Sequence, residues 1–271
     1  MMEMHHADHE WLTLAASYAM ACAGSALGLR CMARALVTSG AARRGWLLLA
    51  SISISCGIWT MHFIAMLGFE ISGTEVLYDV PLTVLSLLIA VAVVSTGIFS
   101  VGHGQSQPRL MMGGLGTGLG IAAMHYVGMA ALRLHGHLEY SWRLVALSVV
   151  IAVVAATAAL WAALTVHSGW GSAGASLVMG LAVSSMHHTG MAALHAHVTP
   201  ARTDLPGASG VEFIVPLTIL VGSFLFLTAA FVALSPTEHQ LLKSAKARQL
   251  RDAQVPARAE DPRRSEQLHS V

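Results

Sequence analysis

The chain has 271 residues, of which 55% are hydrophobic and 11% charged, with a formal net charge of +1. A soluble domain carries about a quarter charged residues, so this composition excludes an ordinary soluble fold. The near-zero charge offers no electrostatic footprint for a nucleic acid, and none is expected as a partner.

Residues 1–10 hold Met1, Met2, Met4, His5, His6 and His9 and no Lys or Arg. They read as a His/Met-rich periplasmic N-terminus. Apolar runs follow at 11–31, 46–69, 78–100, 110–132, 142–165, 174–194 and 211–234. Each approaches or exceeds the roughly 18 residues needed to cross hydrocarbon. The first is too long, and its flank too poor in Lys and Arg, for a cleaved signal. The expected fold class is therefore an all-α integral membrane protein, with seven transmembrane helices over residues 11–234 and the lipid bilayer as its first partner. Residues 235–271 read as a short basic tail. Ser235-Pro236-Thr237-Glu238 resembles a helix cap, with a basic helix expected to about Gln254.

Lys and Arg favour the cytoplasm. Arg30, Arg34, Arg43, Arg44 and Arg109 flank one set of helix ends, and the tail adds Lys243, Lys246, Arg248 and Arg251. The opposite ends carry Glu70, Glu75 and Asp79. This places the N-terminus outside and the C-terminus inside. Trp11, Trp142, Tyr78 and Tyr140 then fall at outer helix ends, and Trp46 and Trp170 at inner ends, as interfacial aromatics do.

Three segments are alike: Trp59-Thr-Met-His-Phe-Ile-Ala-Met66, Ala122-Ala-Met-His-Tyr-Val-Gly-Met129 and Ser184-Ser-Met-His-His-Thr-Gly-Met191. Each reads Met-His-x-x-small-Met. His62, His125 and His187 recur at a period that holds two helices and their loops, so the motifs fall on helices 2, 4 and 6. All three sit roughly 10 Å below the outer edge at 1.5 Å per residue. The architecture implied is three parallel two-helix repeats plus a seventh helix, with pseudo-rotation about the membrane normal. On that axis the histidines can converge.

His at i and Met at i+4 share a helical face. His62 with Met66, His125 with Met129 and His187 with Met191 each pair an imidazole with a thioether, a donor set that suits copper. Met61, Met124 and Met186 either pack or add ligands. His188 adds an imidazole to the third repeat where the others have Phe63 and Tyr126. An interhelical hydrogen-bond network and a haem or proton relay are the other readings of these histidines. Further histidines, His135, His137, His195 and His197, gather outside, either to capture a metal and pass it inward or as solvated, pH-sensitive loops. Cys22, Cys31 and Cys56 form no paired motif.

At Met61-His-Phe-Ile, Met124-His-Tyr-Val and Met186-His-His-Thr the chain resembles the MHYT domain family of bacterial integral membrane sensor proteins, over roughly residues 11–234. The resemblance implies motifs near the outer membrane face that coordinate copper and sense a diatomic gas such as oxygen, CO or NO. It implies Met61, His62, Met124, His125, Tyr126, Met186 and His187 as ligands. No repeat here spells the whole tetrad. Many members of that family carry cytoplasmic domains that make or break cyclic di-GMP. Residues 235–271 are too few for one, so a separate cytoplasmic signalling protein is the expected partner.

The expected function is a sensor holding one or two copper ions and signalling gas or redox state. The alternative is a copper transport or chaperone protein serving a membrane oxidase. No nucleophile triad or phosphate loop appears, and the spans hold too few acids for a di-iron site, so no enzyme is expected.

Overall fold

The computed structural model describes the backbone of residues 3–69, 71, 74–102, 106–166, 168–199 and 205–254. The side chains of residues 3–10, 238 and 252–254, and the expectations placed on Met1, Met2, Glu70 and residues 255–271, lie outside the described residues.

The fold is helical, with helix making up 82%. The long elements are α1 (Glu3–Leu36), α2 (Gly40–Leu67), α3 (Val80–Gly102), α4 (Gln107–Ala130), α5 (Trp142–Thr165), α6 (Gly169–Ala192) and α7 (Val215–Leu234), the last entered through a π-turn at Gly210–Ile214. Among the described residues six helices are long and apolar enough to cross a membrane: α1 from Trp11, α2, α3, α4, α5 and α7 with its π-turn. The run expected at 174–194 does form a helix, and α6 has the 24 residues of α4 and α5. Its glycines, its serines and the pair His187–His188 leave it less apolar than the other six.

Helices α1 to α6 form a closed ring in chain order, because α6 packs back against α1. Helix α7 stands outside the ring, against α1 and α2. The ring is drawn tight where side chains are missing. A Cβ built on Gly24 of α1 would lie 2.6 Å from the Gly57 Cα of α2, and one on Gly57 would lie 2.7 Å from the Gly24 Cα. On α4, a Cβ at Gly118 would lie 2.4 Å from the Val153 Cα of α5. On α6, one at Gly180 would lie 2.5 Å from the Cys22 sulfur of α1. Ser55 takes the corresponding place on α2 and donates to the Ala90 carbonyl of α3 at 3.1 Å. Ser55, Gly118 and Gly180 each stand seven residues before a motif histidine. The same small position thus sets the spacing of α2 to α3, α4 to α5 and α6 to α1, as small residues do between helices in lipid.

Short strands cap the ring where α2, α4 and α6 end. Strand β1 (Leu77–Tyr78) pairs with β2 (Leu132–Arg133) and β5 (Ala208–Ser209). Strand β3 (Gly136–Tyr140) pairs with β4 (Leu194–Val198). All pairings are antiparallel, and they bring the three even-helix ends together at one end of the molecule. The repeat shows even in single bonds: the Asp79 N–H donates to the Ala131 carbonyl and the Ser141 N–H to the Ala193 carbonyl, each at 2.8 Å.

Trp11, Trp142 and Trp170 are exposed at helix ends, and Tyr140 is exposed on β3. Tyr78 corrects the expectation of an interfacial aromatic. It is buried, and its hydroxyl donates to the Met66 carbonyl at 3.3 Å. Beyond Leu234 a separate unit begins. Its helix α8 (Glu238–Gln254) is capped by Thr237 rather than Ser235. The Gln240 N–H donates to the Thr237 hydroxyl at 3.4 Å, and the Thr237 N–H to the Gln240 side chain at 2.9 Å. That is a reciprocal capping box.

Two outcomes are expected. Gly57→Val forces α1 from α2 and costs about 1–3 kcal/mol or more, whereas Gly116→Ala, which meets nothing within 4 Å, leaves the melting temperature in detergent unchanged. At the start of α3, Asp79 accepts from the Leu82 N–H at 3.0 Å and pairs with Arg133 at 2.6 Å. These partners, the Leu82 N–H first, hold its carboxyl below the usual range. A depressed carboxyl stabilises the fold above its ordinary value and loses that contribution as pH falls through the lower folded value. Wild type therefore melts above Asp79→Asn at neutral pH, and the gap closes as pH drops below about 4.

Candidate metal centre

The motif histidines lie near the C-terminal ends of α2, α4 and α6, and the ring turns all three inward. His62, His125 and His187 are buried, with 1%, 0% and 2% of their surface exposed. His62 Nδ1 lies 3.0 Å from His187 Nδ1 and 3.2 Å from His125 Nδ1. The three rings meet edge to face, with centroids 4.9 to 5.2 Å apart. No Cys, Asp or Glu joins this cluster among the described residues.

The small residue of each motif seats the histidine of the preceding repeat. A Cβ on Gly128 would lie 2.5 Å from His62 Nε2, and one on Gly190 would lie 2.3 Å from His125 Nε2. Both glycines stand three residues after their own motif histidine. In the first repeat that place belongs to Ala65, which lines a pocket with His187. The contacts therefore run cyclically: α2 onto α4, α4 onto α6, and the His187 side of α6 facing α2.

Hydrogen bonding alone does not satisfy this cluster. Among the described residues, His62 Nε2 and His125 Nε2 are buried without a partner. A neutral imidazole has one N–H and one lone pair. If His125 and His187 both donate to the single Nδ1 lone pair of His62, the His62 proton moves to Nε2 and stays unpaired. An unmade bond of that kind costs about 1–3 kcal/mol. An ion offers the three Nδ1 atoms a common acceptor of lone pairs. Nitrogens bound at about 2 Å in tetrahedral or trigonal array lie about 3.3–3.5 Å apart. The observed 3.0 and 3.2 Å need only a small opening to match.

Met61, Met66, Met124, Met129 and Met186 are all buried with the histidines, each with 1% or less of its surface exposed. Met191 is half-buried and shares a pocket wall with His187 and His188. Tyr126 packs its ring edge to face on His125 at 4.8 Å but directs its hydroxyl to Ser148 of α5, 2.7 Å away. His188 is exposed and stacks edge to face on His187 at 5.1 Å.

Two spaces adjoin the centre. A pocket of about 250 Å³ between α1, α2 and α6 is lined by Thr13, Ala65, Gly68, His187, His188 and Met191, among others. An apolar cavity of about 40 Å³ lies on the other side, lined by Ile58, Ile121 and Val183, one turn before the three histidines, and by Ile54, Thr117 and Met179, two turns before. Sequence reasoning missed both spaces and the seating role of Gly128 and Gly190. The glycines were visible as the small position of the motif, but their partners lie one repeat away.

The chain was compared with known proteins. The family model described as MHYT, bacterial signalling protein N terminal repeat, matches residues 56–114 and 118–176. The third motif, at Met186-His187, lies beyond these matches, yet the fold brings it to the other two. The chain is 38% identical over 192 residues to the bifunctional diguanylate cyclase/cyclic di-GMP phosphodiesterase MucR of Pseudomonas aeruginosa, covering 69% of this chain and 28% of that protein. It is 42% identical over 174 residues to the cyclic di-GMP phosphodiesterase NbdA of the same organism, covering 60% and 21%. It is 34% identical over 225 residues to a signalling protein of Caulobacter vibrioides, covering 83% and 26%. The chain thus spans about a quarter of the length of these curated relatives. No solved structure matches.

One outcome tests the seating contacts directly. Gly128→Ala and Gly190→Ala push a methyl onto His62 and His125, and each lowers the melting temperature. Ala65→Gly, which removes a methyl beside His187, lowers it less than either.

Proposed function

From the premise that this chain is a member of the MHYT-repeat family of bacterial signalling proteins, and a multi-pass protein of the inner membrane, we propose that it is a copper-binding sensor of a diatomic gas or of redox state. The observation that carries this reading is the meeting of His62, His125 and His187, with two Nε2 atoms left unpartnered among the described residues.

Charge favours copper in its monovalent form. The cost of moving an ion into an apolar interior is large and grows with the square of its charge. With no carboxylate in the cluster, three neutral imidazoles leave that charge uncancelled. A single positive charge is then the least costly, and thioethers and imidazoles are soft enough to hold Cu(I). Met66, Met129 and Met191 are the thioethers we assign beside the imidazoles, with Met61, Met124 and Met186 in reserve. Tyr126 is the weakest candidate, because its hydroxyl is engaged by Ser148. His188 stands at the pocket, where it can guide a ligand toward His187.

The two adjoining spaces suit a small apolar ligand. The pocket beside His187 gives a way in, and the apolar cavity is of the kind that stays dry and takes up apolar guests. That cavity also argues against copper transport, since its walls offer an ion few donors on the way inward. We place α6 across the membrane as a seventh span, supported by its length, its place in the ring and the meeting of its end with those of α2 and α4. The N-terminus then lies outside and α8 inside, consistent with Arg30, Arg34, Arg43, Arg44 and Arg109 at one end of the bundle. Relatives are named as cyclic di-GMP enzymes, and a separate cytoplasmic protein of that signalling class is the partner we propose.

Protein purified in detergent without a His-tag should carry about one or two coppers by elemental analysis, the number the cluster can hold. His62→Ala/His125→Ala/His187→Ala should lose it while keeping its helical content. Gly128→Ala should weaken copper binding on the order of 10–100-fold, as disturbed ligand support does. CO added to the reduced wild type should give a C–O stretch that the triple variant lacks. Copper-free wild type, or equal copper in both, would sink the metal reading.

A further inference from the structure

The β3–β4 ribbon was not anticipated from sequence, and it gathers residues that the buried centre does not use. In a strand, residues i and i+2 share a face. His137 and Glu139 therefore share a face of β3, and His195 and His197 the matching face of β4. The register sets His137 directly opposite His197, and Glu139 directly opposite His195. All four are exposed, while Leu138 and Ala196 on the reverse face are half-buried.

The functional atoms converge. His137 Nε2 lies 3.5 Å from one oxygen of Glu139, and His197 Nε2 lies 3.4 Å from the other. The two imidazoles stack, with centroids 5.0 Å apart and planes 16° from parallel. These nitrogen–oxygen distances are long for charge-assisted hydrogen bonds, which run about 2.7–2.9 Å. The three groups each offer a donor atom within 4.8 Å of the others, so a small adjustment brings them to the spacing of about 3.3 Å that donors sharing an ion at about 2.0–2.1 Å adopt in a tetrahedral array.

We propose that His137, Glu139 and His197 form a second metal site, for a divalent transition-metal ion such as Zn²⁺ or Cu²⁺, with His195 beside it. The donor set is two imidazoles and a carboxylate, harder than the imidazole and thioether set of the buried centre, and the carboxylate offsets part of the ion's charge. The site is open to solvent, so hydration fills its remaining positions. A two-stranded ribbon is marginal by itself. An ion bridging β3 to β4 cross-links the segments that follow α4 and α6, and so ties together the ends of two helices that carry motif histidines. The site stands independently of copper at the buried centre.

The test uses the full chain in detergent, without a His-tag. Co-purified copper is first counted. Zn²⁺ or Cu²⁺ alone is then titrated into wild type, His137→Ala/His197→Ala and Glu139→Gln, with His5, His6 and His9 intact in all three. The double variant should bind one divalent ion fewer than wild type. Glu139→Gln should bind that ion at least about tenfold more weakly, as loss of a charged ligand does. The electron paramagnetic resonance of added Cu²⁺ should show nitrogen coupling that the double variant loses. Because these side chains are exposed, the variants should melt like the metal-free wild type. If they do, and they bind divalent metal with unchanged stoichiometry and affinity, the ribbon is no metal site. A variant that does not fold is replaced by His137→Gln/His197→Gln, with the same reading of its outcomes. Copper is also counted in the purified His137→Ala/His197→Ala and His62→Ala/His125→Ala/His187→Ala variants: copper kept by the first and lost by the second belongs to the buried centre, so the two proposals fail separately.

Discussion

Two imidazole rings come within 3.2 Å of a third, and all three pack with centroids 4.9 to 5.2 Å apart, only if the helices that carry them are held closer than ordinary side chains allow. That requirement explains where this sequence places its small residues. Gly128 and Gly190 leave room for His62 and His125, and Ser55, Gly118 and Gly180 bring each even helix against its outer neighbour. Gly24 and Gly57 close the first hairpin backbone to backbone. In hydrocarbon there is no hydrophobic force to press helices together, so close packing of this kind carries the association. The histidine cluster and the tightness of the ring are one constraint seen from two sides.

Much of this was legible in the sequence, for a physical reason. A membrane fixes helix length, so a period of two helices returns a residue to the same depth, and three similar motifs at that period had to lie level. Their facing the same axis was not legible, because depth says nothing of rotation about a helix. The cyclic contacts decide it, and each joins residues one repeat apart. Tyr78 departs from expectation because aromatic residues at span ends are usually interfacial, whereas this one is buried in β1 and donates its hydroxyl to the Met66 carbonyl. The cap of α8 was misread by two residues, since Ser-Pro looked like a start and Thr237 with Gln240 completes the box. The small strands left no periodic signal, for they are two to five residues long and their partners lie about 54 to 132 residues away. Glu139 went unnoticed for the same reason: His137 stands beside it on β3, but only the register of β3 with β4 brings it His197.

The repeats are not equal, and the departures from symmetry concentrate on one side. Where the second and third motifs have glycine, the first has Ala65; where the others have Phe63 and Tyr126, the third has His188. Both departures line the pocket beside His187. On the other two sides the aromatic rings close the cluster, with Phe63 packed on His62 and Tyr126 on His125. A closed threefold cluster would hold an ion equally from all sides and admit nothing. This one has a single side built differently, facing a pocket that α1 completes through Thr13 and Leu14. The chemistry at that side is distinct as well, since Met191 alone among the motif methionines is only half-buried. An exchangeable ligand needs one open direction and rigid walls in the others, and the broken repeat supplies that arrangement with two substitutions, Ala for Gly and His for an aromatic ring.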